Sequence, residues 1–560
     1  MFKKILSKRI FWAILVALLT VPTFLNMCRS GFFPMQDDLQ AFRIYEMDKC
    51  WQDFQIPCRW VPDAGYEYGY PQFNYYPPSV YYIGEILHKV GFQYIDSVKI
   101  LFAAGYILSA VAMFLLVSEF LDNFSGFTAA LIYTYVPYKA VEVYVRGAMS
   151  EFWSLVFYPL VFWAVYKLIK TSKVRYIALT AISLGLLLTT HILMSMIFSL
   201  SAVVWTIYWL IKEKKLKEIY KVIVGVLLGF GFAAFFVLPV IFEKQYAHTE
   251  TLTEGYFGYQ QHFVNIYKLF ISREWGYGSS GFPNEKLNLS TGLVQWVFGA
   301  VTVAISGIYV FFKKKNKFAS LALVLGVLEL FTLFMIHVKS SFIWSALPIL
   351  AILQFPWRFL TISIFLLAIL AGIGVYMLPK FKVLVGILVV VLAFVLNVGY
   401  FVPKSWENIT DLDKFSGSSW QKQLTISIFD YLPIYAKFPP VTIAPPQPEV
   451  LEGNATFSNY SKGSDFQKGE INVKNSALIR LPLFDFPGMV TKVDGKIVSH
   501  VNNDCRGEDF CLGLITFKVP TGIHSIDVEL TNTPVRTIGN WLSLVSTLGV
   551  IGLLFWKKKK

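Results

Sequence analysis

The feature of this sequence that most constrains its fold is a series of long apolar runs separated by short polar stretches. A helix needs about 20 mostly apolar residues to cross the hydrocarbon core of a bilayer, and about twelve runs approach that length. With 55% of its 560 residues hydrophobic and 15% charged, the chain has too little polar surface for a soluble protein of this size. The sequence therefore predicts a polytopic α-helical membrane protein with about 12 transmembrane helices.

The predicted spans are roughly residues 10–28, 97–118, 124–141, 152–168, 176–189, 191–211, 222–242, 291–312, 318–336, 357–378, 383–402 and 537–556. A further apolar stretch, 341–353, is short, which is typical of a re-entrant or interfacial helix.

Lysines and arginines concentrate between these spans, and the threading puts all of their clusters on one side of the membrane. The clusters lie at residues 3–9, 167–175, 212–221, 313–317, 380–382 and 557–560. Short basic loops mark the cytoplasmic side, so both termini are predicted to be cytoplasmic. The net charge of +14 therefore indicates membrane orientation, and nucleic acid is not an expected partner.

This orientation leaves four extracytoplasmic segments: 29–96, the turn with Arg146 and Glu151, 243–290, and 403–536. The last segment is predicted to be mostly β-structure, since Asp494-Gly495 between two apolar runs suits a type I′ hairpin turn. We expect a transmembrane domain at 1–402 with a long first exterior loop (29–96), a β-sandwich domain at 403–536, and a final helix with a basic tail at 537–560. The sandwich either binds glycan or caps the membrane site.

Two pairs of cysteines fall in predicted exterior segments. Cys50 and Cys58 lie in the first exterior loop, and Cys505 and Cys511 lie in the last segment. An oxidising compartment would permit both pairs to form disulfides. Four unpaired thiols are equally compatible with the spacing.

Two adjacent acids, Asp37 and Asp38, directly follow the first span. A carboxylate at the outer membrane boundary can accept a proton from an attacking hydroxyl or hold a metal ion. Ionisable residues at a membrane are costly and tend to be functional. A solvated pair in an exterior loop is the simpler alternative.

Four more polar residues are candidates for binding a phosphate or orienting it. Arg146 and Glu151 share an exterior turn, His191 begins a span on the same side, and Arg358 opens the tenth span. Guanidinium groups bind phosphate well, and a carboxylate can orient them. The alternatives are an ion pair at a helix end, a structural histidine, and an arginine that reaches ordinary phospholipid.

The first exterior loop also carries Arg59 among many aromatic residues and prolines. Its segments Pro57-Cys58-Arg59-Trp60, Gly69-Tyr70-Pro71 and Asn74-Tyr75-Tyr76-Pro77-Pro78 suit a rigid platform at the membrane interface. Aromatic faces stack on sugar rings, although an aromatic belt without a ligand would have the same composition. The sequence contains no Walker-type loop, dinucleotide fingerprint or nucleophile elbow, so a nucleotide-driven or serine-dependent enzyme is not expected.

The early acidic pair, the many spans and the late exterior domain resemble the GT-C superfamily of membrane glycosyltransferases. More closely, the chain resembles bacterial and archaeal membrane proteins described as 6-pyruvoyl-tetrahydropterin synthase-related, which are related to the YfhO-like proteins. The segments that carry this resemblance are Pro57–Trp60, Gly69–Pro71, Arg146–Glu151, Trp275–Gly278, Gln354–Leu360, Asp430–Pro433 and Thr533–Asn540. Pterin synthesis itself is rejected, because that enzyme needs a histidine-bound zinc and the seven histidines here are scattered.

The resemblance implies an integral protein of a prokaryotic plasma membrane that uses a polyprenyl-phosphate-linked sugar donor. In GT-C enzymes the acid of the first loop is the catalytic base, which carries over to Asp37 or Asp38. From their charge and side we expect Arg59, Arg146, His191 and Arg358 to bind the donor phosphate, with Glu151 orienting it. No cofactor is expected with certainty; a divalent metal ion stays open, with Asp37, Asp38 and Glu151 as candidate ligands.

The predicted function is therefore an inverting transfer of the sugar to a glycan, lipid or protein acceptor on the outer face of the membrane. Two alternatives remain. One is a non-catalytic membrane protein that binds glycan or lipid. The other is a transporter of lipid-linked glycans, which charged residues buried inside the spans would favour. The predicted spans are nearly free of such residues.

Overall fold

The structure is a computed structural model that describes residues 8–281, 285–313, 316–425, 429–502 and 511–556. The chain is helical up to Thr425, forms a β-sheet between Glu449 and Leu530, and ends in a helix. Within the described ranges, the α-helices of eight or more residues are α1 (Arg9–Leu19), α2 (Gln40–Gln52), α3 (Ser79–Lys89), α4 (Tyr94–Phe120), α5 (Asn123–Thr134), α6 (Met149–Thr171), α7 (Arg175–Thr190), α8 (Ile192–Lys212), α9 (Ile219–Phe232), α10 (Ala234–Phe242), α11 (Leu293–Phe311), α12 (Ala319–Ile336), α13 (Leu360–Tyr376), α14 (Lys382–Asn397), α15 (Gly417–Thr425) and α16 (Pro534–Phe555).

Eight of these helices are long and apolar enough to cross a membrane: α4, α6, α8, α11, α12, α13, α14 and α16. A further predicted span, 222–242, corresponds to α9 and α10, which are bent by 75° at a break between them. Helices α1 and α7 are shorter apolar helices, and α5 ends ahead of Pro137. The predicted polytopic helical fold is confirmed, while the number of helices that cross the bilayer stays a prediction.

The helices differ in how deeply they lie in the bundle. The apolar window of the span Pro356–Tyr376, which contains α13, is 94% buried, so this helix lies at the centre. The corresponding value for Pro534–Phe555 is 17%, so α16 lies at the periphery. A helix that is apolar on all sides and largely exposed requires lipid around it.

Ion pairs gather several of the predicted basic clusters at one end of the bundle. Glu119 at the end of α4 accepts hydrogen bonds from Arg9 Nη1 and Lys167 Nζ, both at 2.7 Å. At the same ends of neighbouring helices, Lys170 pairs with Glu213. These contacts agree with the prediction that the basic clusters lie on one side of the membrane. Lys3, Lys4, Lys314, Lys315 and Lys557 to Lys560 lie outside the described residues.

The late β-structure is one continuous antiparallel sheet. Its strands are β1 (Glu449–Lys462), β2 (Phe466–Phe484), β3 (Met489–Val493), β4 (Lys496–Val498), β5 (Leu514–Val519) and β6 (Gly522–Leu530). They follow the order β1-β2-β6-β3-β4, and β5 also pairs with β2. Because β2 is 19 residues long, its first half pairs with β6 and its second half with β5. The predicted β-rich domain is confirmed, and its strands share one sheet where the sequence predicted a sandwich.

The predicted hairpin lies between β3 and β4. Asp494 and Gly495 have φ values of 52° and 72°. Two consecutive positive φ angles define the type I′ turn that an Asp-Gly pair favours. The alternating apolar residues of β5, Ile515, Phe517 and Val519, are at most 2% exposed, as their period of two predicts.

The first part of the last exterior segment packs on the first exterior loop. Glu407 and Phe32 form an isolated antiparallel bridge. The carboxylate of Asp411 accepts hydrogen bonds from the backbone N–H groups of Tyr94 and Ile95, and so caps α4. Residues 403–414 therefore tie the two exterior regions together, and the domain boundary at 403 stays a prediction.

Of the predicted disulfides, the Cys50–Cys58 pair is formed, and it lies in the first exterior loop. Cys505 lies outside the described residues, so the second pair is not described. The segment 338–353 consists of short helices with exposed Phe342, Leu347 and Ile349. Such an exposed apolar surface suits an interfacial helix, one of the two positions that the sequence predicts for it.

Candidate functional site

The candidate site forms where the first exterior loop meets the turn after α5. The backbone N–H of Gln36 donates to the carbonyl oxygen of Val145 at 3.0 Å, and that of Asp37 donates to the carbonyl oxygen of Arg146 at 2.8 Å. Gly147 follows in the left-handed region, and a Cβ at this position would collide with Met35. This close approach places the acidic pair beside the turn that carries Arg146.

Asp37 is held in place by two residues of α2. Its Oδ2 accepts hydrogen bonds from Arg43 Nη1 and Gln40 Nε2, both at 2.9 Å. The Arg43 guanidinium lies 4.0 Å from the ring centroid of Tyr76. Its side chain is 3% exposed, whereas that of Asp37 is 31% exposed. A buried cation therefore fixes a carboxylate that water still reaches.

Asp38 has a different environment although it is the next residue. Its Oδ2 accepts a hydrogen bond from Lys414 Nζ at 2.6 Å. Burial raises the pKa of Asp38, and the charge of Lys414 partly opposes that shift. Because Lys414 belongs to the segment after the eleventh predicted span, this ion pair ties the first exterior loop to the later exterior region.

A second group of charges surrounds Glu151 at the start of α6. Glu151 Oε2 forms an ion pair with Arg146 Nη1 at 3.0 Å and accepts a hydrogen bond from Arg358 Nε at 3.2 Å. Its Oε1 accepts one from the Tyr138 hydroxyl at 2.9 Å. Arg146 also pairs with Glu142. The structure thus brings together three of the predicted residues, with two glutamates balancing two arginines.

The backbone before Arg358 has an unusual conformation. Gln354 has a φ of 60°, which is uncommon for a residue with a side chain. Its Oε1 accepts a hydrogen bond from Arg358 Nη1 at 3.0 Å, and the carbonyl oxygen of Leu353 accepts another at 2.7 Å. Strained residues concentrate at functional sites, so this turn supports a role in positioning the guanidinium.

His191 caps a helix and lies near these charges. Its Nδ1 accepts a weak hydrogen bond from the backbone N–H of Met194 at 3.4 Å, at the start of α8. The charges of Glu151 and Arg358 both act on its ring. The capping bond is the structural role that the sequence left open for this residue.

Arg59 lies in a separate network, which we call the Arg59–Glu243–Arg536 cluster. Arg59 Nη2 donates to Asn540 Oδ1 at 2.8 Å, and Nη1 donates to Asn74 Oδ1 at 3.3 Å. Glu243 Oε2 accepts hydrogen bonds from Arg536 Nε at 2.9 Å and Asn74 Nδ2 at 3.1 Å. The cluster joins the first exterior loop to α10 and α16. A common phosphate site would require Arg59 to lie beside Arg146 and Arg358. The described hydrogen bonds of the Arg59 guanidinium go instead to Asn74 and Asn540.

Charge balance distinguishes this cluster from the Asp37 site. It holds two guanidinium groups against one carboxylate, and all three residues are at most 4% exposed. Burial and then the charge of Arg536 lower the pKa of Arg59 to about 10. Arg59 Nε and Arg536 Nη2 are buried without a hydrogen-bond partner in the part of the chain that the structure describes. Removing one partner from such a buried network is strongly destabilising, which favours a structural role for the cluster.

The three predicted metal ligands do not converge. Asp37 faces Arg43, Asp38 faces Lys414, and Glu151 faces two arginines. The described part of the chain contains no group of three or more His, Cys, Asp or Glu side chains placed to hold a metal ion. The donor set as arranged does not fit a metal site, and no chemical step below depends on one.

Several residues of the site were missed by the sequence reasoning. Gln40 follows Asp37 by three residues, an interval that could have identified it, whereas Arg43 on α2 follows by six and had no such signal. Lys414 and Glu243 had no such signal, because their partners are distant in the sequence. Tyr431 and Arg536 lie in segments that were noted only for the family resemblance.

The fold and its apolar helices define an integral membrane protein with an extracytoplasmic acidic site predicted on one face. The family model described as "6-pyruvoyl-tetrahydropterin synthase related domain; membrane protein" matches residues 73–404. The chain belongs to this family of membrane proteins. A relative from Lactococcus lactis subsp. cremoris (strain MG1363), described as an uncharacterized protein, is 21% identical over 364 residues, or 62% of this chain. The match covers 54% of that relative, so this chain spans about half of its length.

Solved structures of two glycosyl-transferring proteins show a weak likeness. The arabinofuranosyltransferase AftD from Mycobacteria is 12% identical, with a TM-score of 0.47 over 71% of this chain and 27% of that protein. The Archaeoglobus fulgidus oligosaccharyltransferase AglB, in complex with an inhibitory peptide and a dolichol-phosphate, is 14% identical, with a TM-score of 0.43 over 75% of this chain and 59% of that protein. At these scores the likeness carries no conclusion about function.

Proposed function

We propose that this protein is a membrane glycosyltransferase that moves a sugar from a polyprenyl-phosphate donor to an acceptor hydroxyl at the extracytoplasmic face, with inversion. The observation that carries the proposal is the arrangement of Asp37. A carboxylate that water reaches is fixed by buried Arg43 and Gln40, and its backbone is bonded to the turn of Arg146. Transfer of a sugar from its phosphate requires a base for the acceptor hydroxyl and positive charge for the leaving phosphate, and Asp37 and the arginines lie on one surface. The acceptor is a glycan, a lipid or a protein.

Asp37 is the better candidate for the base. A general base must come within hydrogen-bond reach of the proton that it removes. Both donors of α2 bind the Oδ2 atom of Asp37, which favours Oδ1 as the atom that meets the acceptor. Asp38 Oδ2 instead accepts a hydrogen bond from Lys414 Nζ, and Asp38 is less exposed, at 24% against 31%. This difference supports Asp38 as a tether and Asp37 as the catalytic residue.

In the proposed reaction the acceptor oxygen attacks the anomeric carbon while Asp37 takes the hydroxyl proton. The bond between the anomeric carbon and the phosphate oxygen breaks, and its electron pair leaves with the lipid phosphate. Attack from the opposite side inverts the configuration at that carbon. Placing the two reactants together contributes a large part of such accelerations, and general-base help adds about 10²–10⁴-fold.

Arg146 and Arg358 would bind the phosphate group of the donor. In the free protein both guanidinium groups bind Glu151. A phosphate that gains charge as the bond breaks would compete with Glu151 for these donors. Interactions that strengthen as charge develops lower the barrier, whereas equal binding of the ground state does not.

The test is sugar transfer by purified protein in nanodiscs, with a panel of radiolabelled polyprenyl-phosphate sugars. We expect the wild type to transfer one of them and Asp37→Asn to bind the same donor without transfer. If the donor binds equally well to both proteins and neither transfers it, the protein is a binder of lipid-linked glycan and the catalytic proposal fails.

One buried acid is relevant to the transporter alternative. Glu329 lies inside the predicted span 318–336, is 5% exposed, and accepts a hydrogen bond from Ser363 at 2.5 Å. It is an exception to the predicted scarcity of charges within spans. A Glu329→Gln variant that keeps transfer activity supports the enzyme, whereas proton-dependent movement of lipid-linked sugar that is lost in this variant favours transport.

A further inference from the structure

The segment around Tyr431 is fixed against two other exterior regions. The carbonyl oxygen of Leu432 accepts a hydrogen bond from the backbone N–H of His248 at 2.8 Å, and the N–H of Ile434 donates to the carbonyl oxygen of Tyr246 at 3.0 Å. The N–H of Tyr431 donates to the Tyr70 hydroxyl at 2.6 Å. Backbone hydrogen bonds at Tyr431, Leu432 and Ile434 therefore hold this segment in a defined position.

The ring of Tyr431 extends the aromatic platform of the first exterior loop. Its centroid lies 5.5 Å from that of Tyr75, with an interplanar angle of 29°. The next residue, Tyr76, carries the Arg43 guanidinium that holds Asp37. Tyr431 thus contacts Tyr75, whose neighbour in the chain contacts the arginine of the Asp37–Arg43 pair.

Charges from both ends of the proposed reaction act on the Tyr431 phenol. After the neighbouring Asp430, the charges that act on it are those of Arg43, Asp37 and Arg358. Burial raises the pKa of Tyr431, so its hydroxyl stays protonated and can donate a hydrogen bond at neutral pH. Tyr431 is only partly buried as a residue, so a ligand can reach part of it.

We propose that Tyr431 contacts the sugar of the donor and positions its anomeric carbon between Asp37 and Arg358. In the proposed reaction the sugar lies between the base and the phosphate, and the Tyr431 phenol is close enough to both groups for the charges of Asp37 and Arg358 to act on it. An aromatic face packs on the apolar face of a sugar ring, and its hydroxyl donates to a sugar oxygen. The later exterior segment therefore supplies a positioning residue. This inference rests on the proposed function.

The test compares two ligands that differ only by the sugar: a polyprenyl phosphate and the corresponding polyprenyl-phosphate sugar. Their dissociation constants are measured for the wild type, Tyr431→Phe and Tyr431→Ala in nanodiscs. Tyr435→Phe, in the same segment, is the matched control. We expect the sugar-bearing ligand to bind about 5-fold more weakly to Tyr431→Phe and about 10-fold or more to Tyr431→Ala. The sugar-free lipid phosphate should bind all four proteins equally.

Two results overturn the inference: unchanged binding of both ligands in Tyr431→Ala, or an equal loss for both. An equal loss would mean that Tyr431 supports the fold or the phosphate site. The outcome is distinguishable from failure of the proposed function. If the wild type transfers nothing, but Tyr431→Ala loses only the sugar-dependent part of binding, the sugar contact stands and the catalytic proposal falls.

Discussion

Two ionic networks lie close together in this protein, and they differ in how much water reaches them. The Asp37–Arg43 pair combines a buried guanidinium with a carboxylate that is 31% exposed. In the Arg59–Glu243–Arg536 cluster, the Arg536 and Glu243 side chains are 0% and 2% exposed. The neighbours Tyr75 and Tyr76 connect the two, since the Tyr75 hydroxyl donates to the carbonyl oxygen of Glu243 and the Tyr76 ring contacts the Arg43 guanidinium.

This difference in exposure shows that position near a membrane boundary does not by itself identify an arginine as a phosphate-binding residue. Arg59 and Arg146 were predicted to share one role, because both carry a positive charge on the same side. Arg59 lies among side chains that join α10 and α16 to the first exterior loop. Arg146 is bonded to residues of the candidate site. Variants of each network should therefore affect different properties.

The largest effect is expected when the buried cluster loses its only carboxylate. Glu243→Gln leaves two buried guanidinium groups without a counter-charge, which typically costs about 3–5 kcal/mol. Thermal unfolding in detergent should show a strongly destabilised protein. The control is Glu449→Gln, which removes a 47% exposed carboxylate paired with Arg480 on the sheet and should cost about 1 kcal/mol or less. Equal losses in the two variants would contradict the structural role of the cluster.

A smaller effect, on activity instead of stability, is expected at Arg43. Arg43→Met removes the main donor that holds Asp37, and a displaced catalytic group can lose about 10²-fold in rate. We expect transfer to fall by about 10- to 100-fold, while the unfolding temperature changes less than in Glu243→Gln. Arg480→Met should transfer at the wild-type rate. A loss of folding with normal specific activity would place Arg43 with the structural residues.

A still smaller effect is expected when the tether between Asp38 and Lys414 is cut. Lys414→Met leaves Asp38 partly buried without its cation, which costs about 1–3 kcal/mol. The double variant Asp38→Asn, Lys414→Met should lose less than the sum of the two single variants, because the residues are in contact. Strictly additive losses, measured by thermal unfolding, would mean that the ion pair does not join the two exterior regions.

A further expected effect is a pH dependence of stability in the first exterior loop. Burial, followed by the charge of Asp48, raises the pKa of Glu85 to about 8. Since the folded pKa lies above the unfolded one, this residue's contribution to stability is complete below about pH 4 and is lost as the pH rises through 8. Glu85→Gln should flatten the pH dependence of unfolding in this range. An unchanged slope between pH 5 and 9 would contradict the assignment.

Much of the fold followed from local patterns in the sequence. Apolar runs predicted the helices, and Asp494-Gly495 predicted the hairpin, because each of these signals depends on neighbouring residues. The arrangement of the sheet was harder to predict from the sequence, because β2 is long enough to pair with three strands.

The site was predictable only in part. Asp37, Arg146, Glu151 and Arg358 were named from their positions at one membrane face, and the structure joins the last three through Glu151. The different environments of Asp37 and Asp38 could not be predicted, because that of Asp38 depends on Lys414, 376 residues away. The separate network of Arg59 could not be predicted for the same reason: its partner Asn540 is 481 residues away.

The most direct test of the account is the ratio of transfer rates of Asp37→Asn and Asp38→Asn at saturating donor in nanodiscs. The account predicts a loss of about 10²–10⁴-fold for Asp37→Asn, with donor binding retained. Asp38→Asn should keep transfer within about tenfold of the wild type, since it loses only a hydrogen-bonded tether. Equal losses in both variants, or a loss confined to Asp38→Asn, would contradict the assignment of the base.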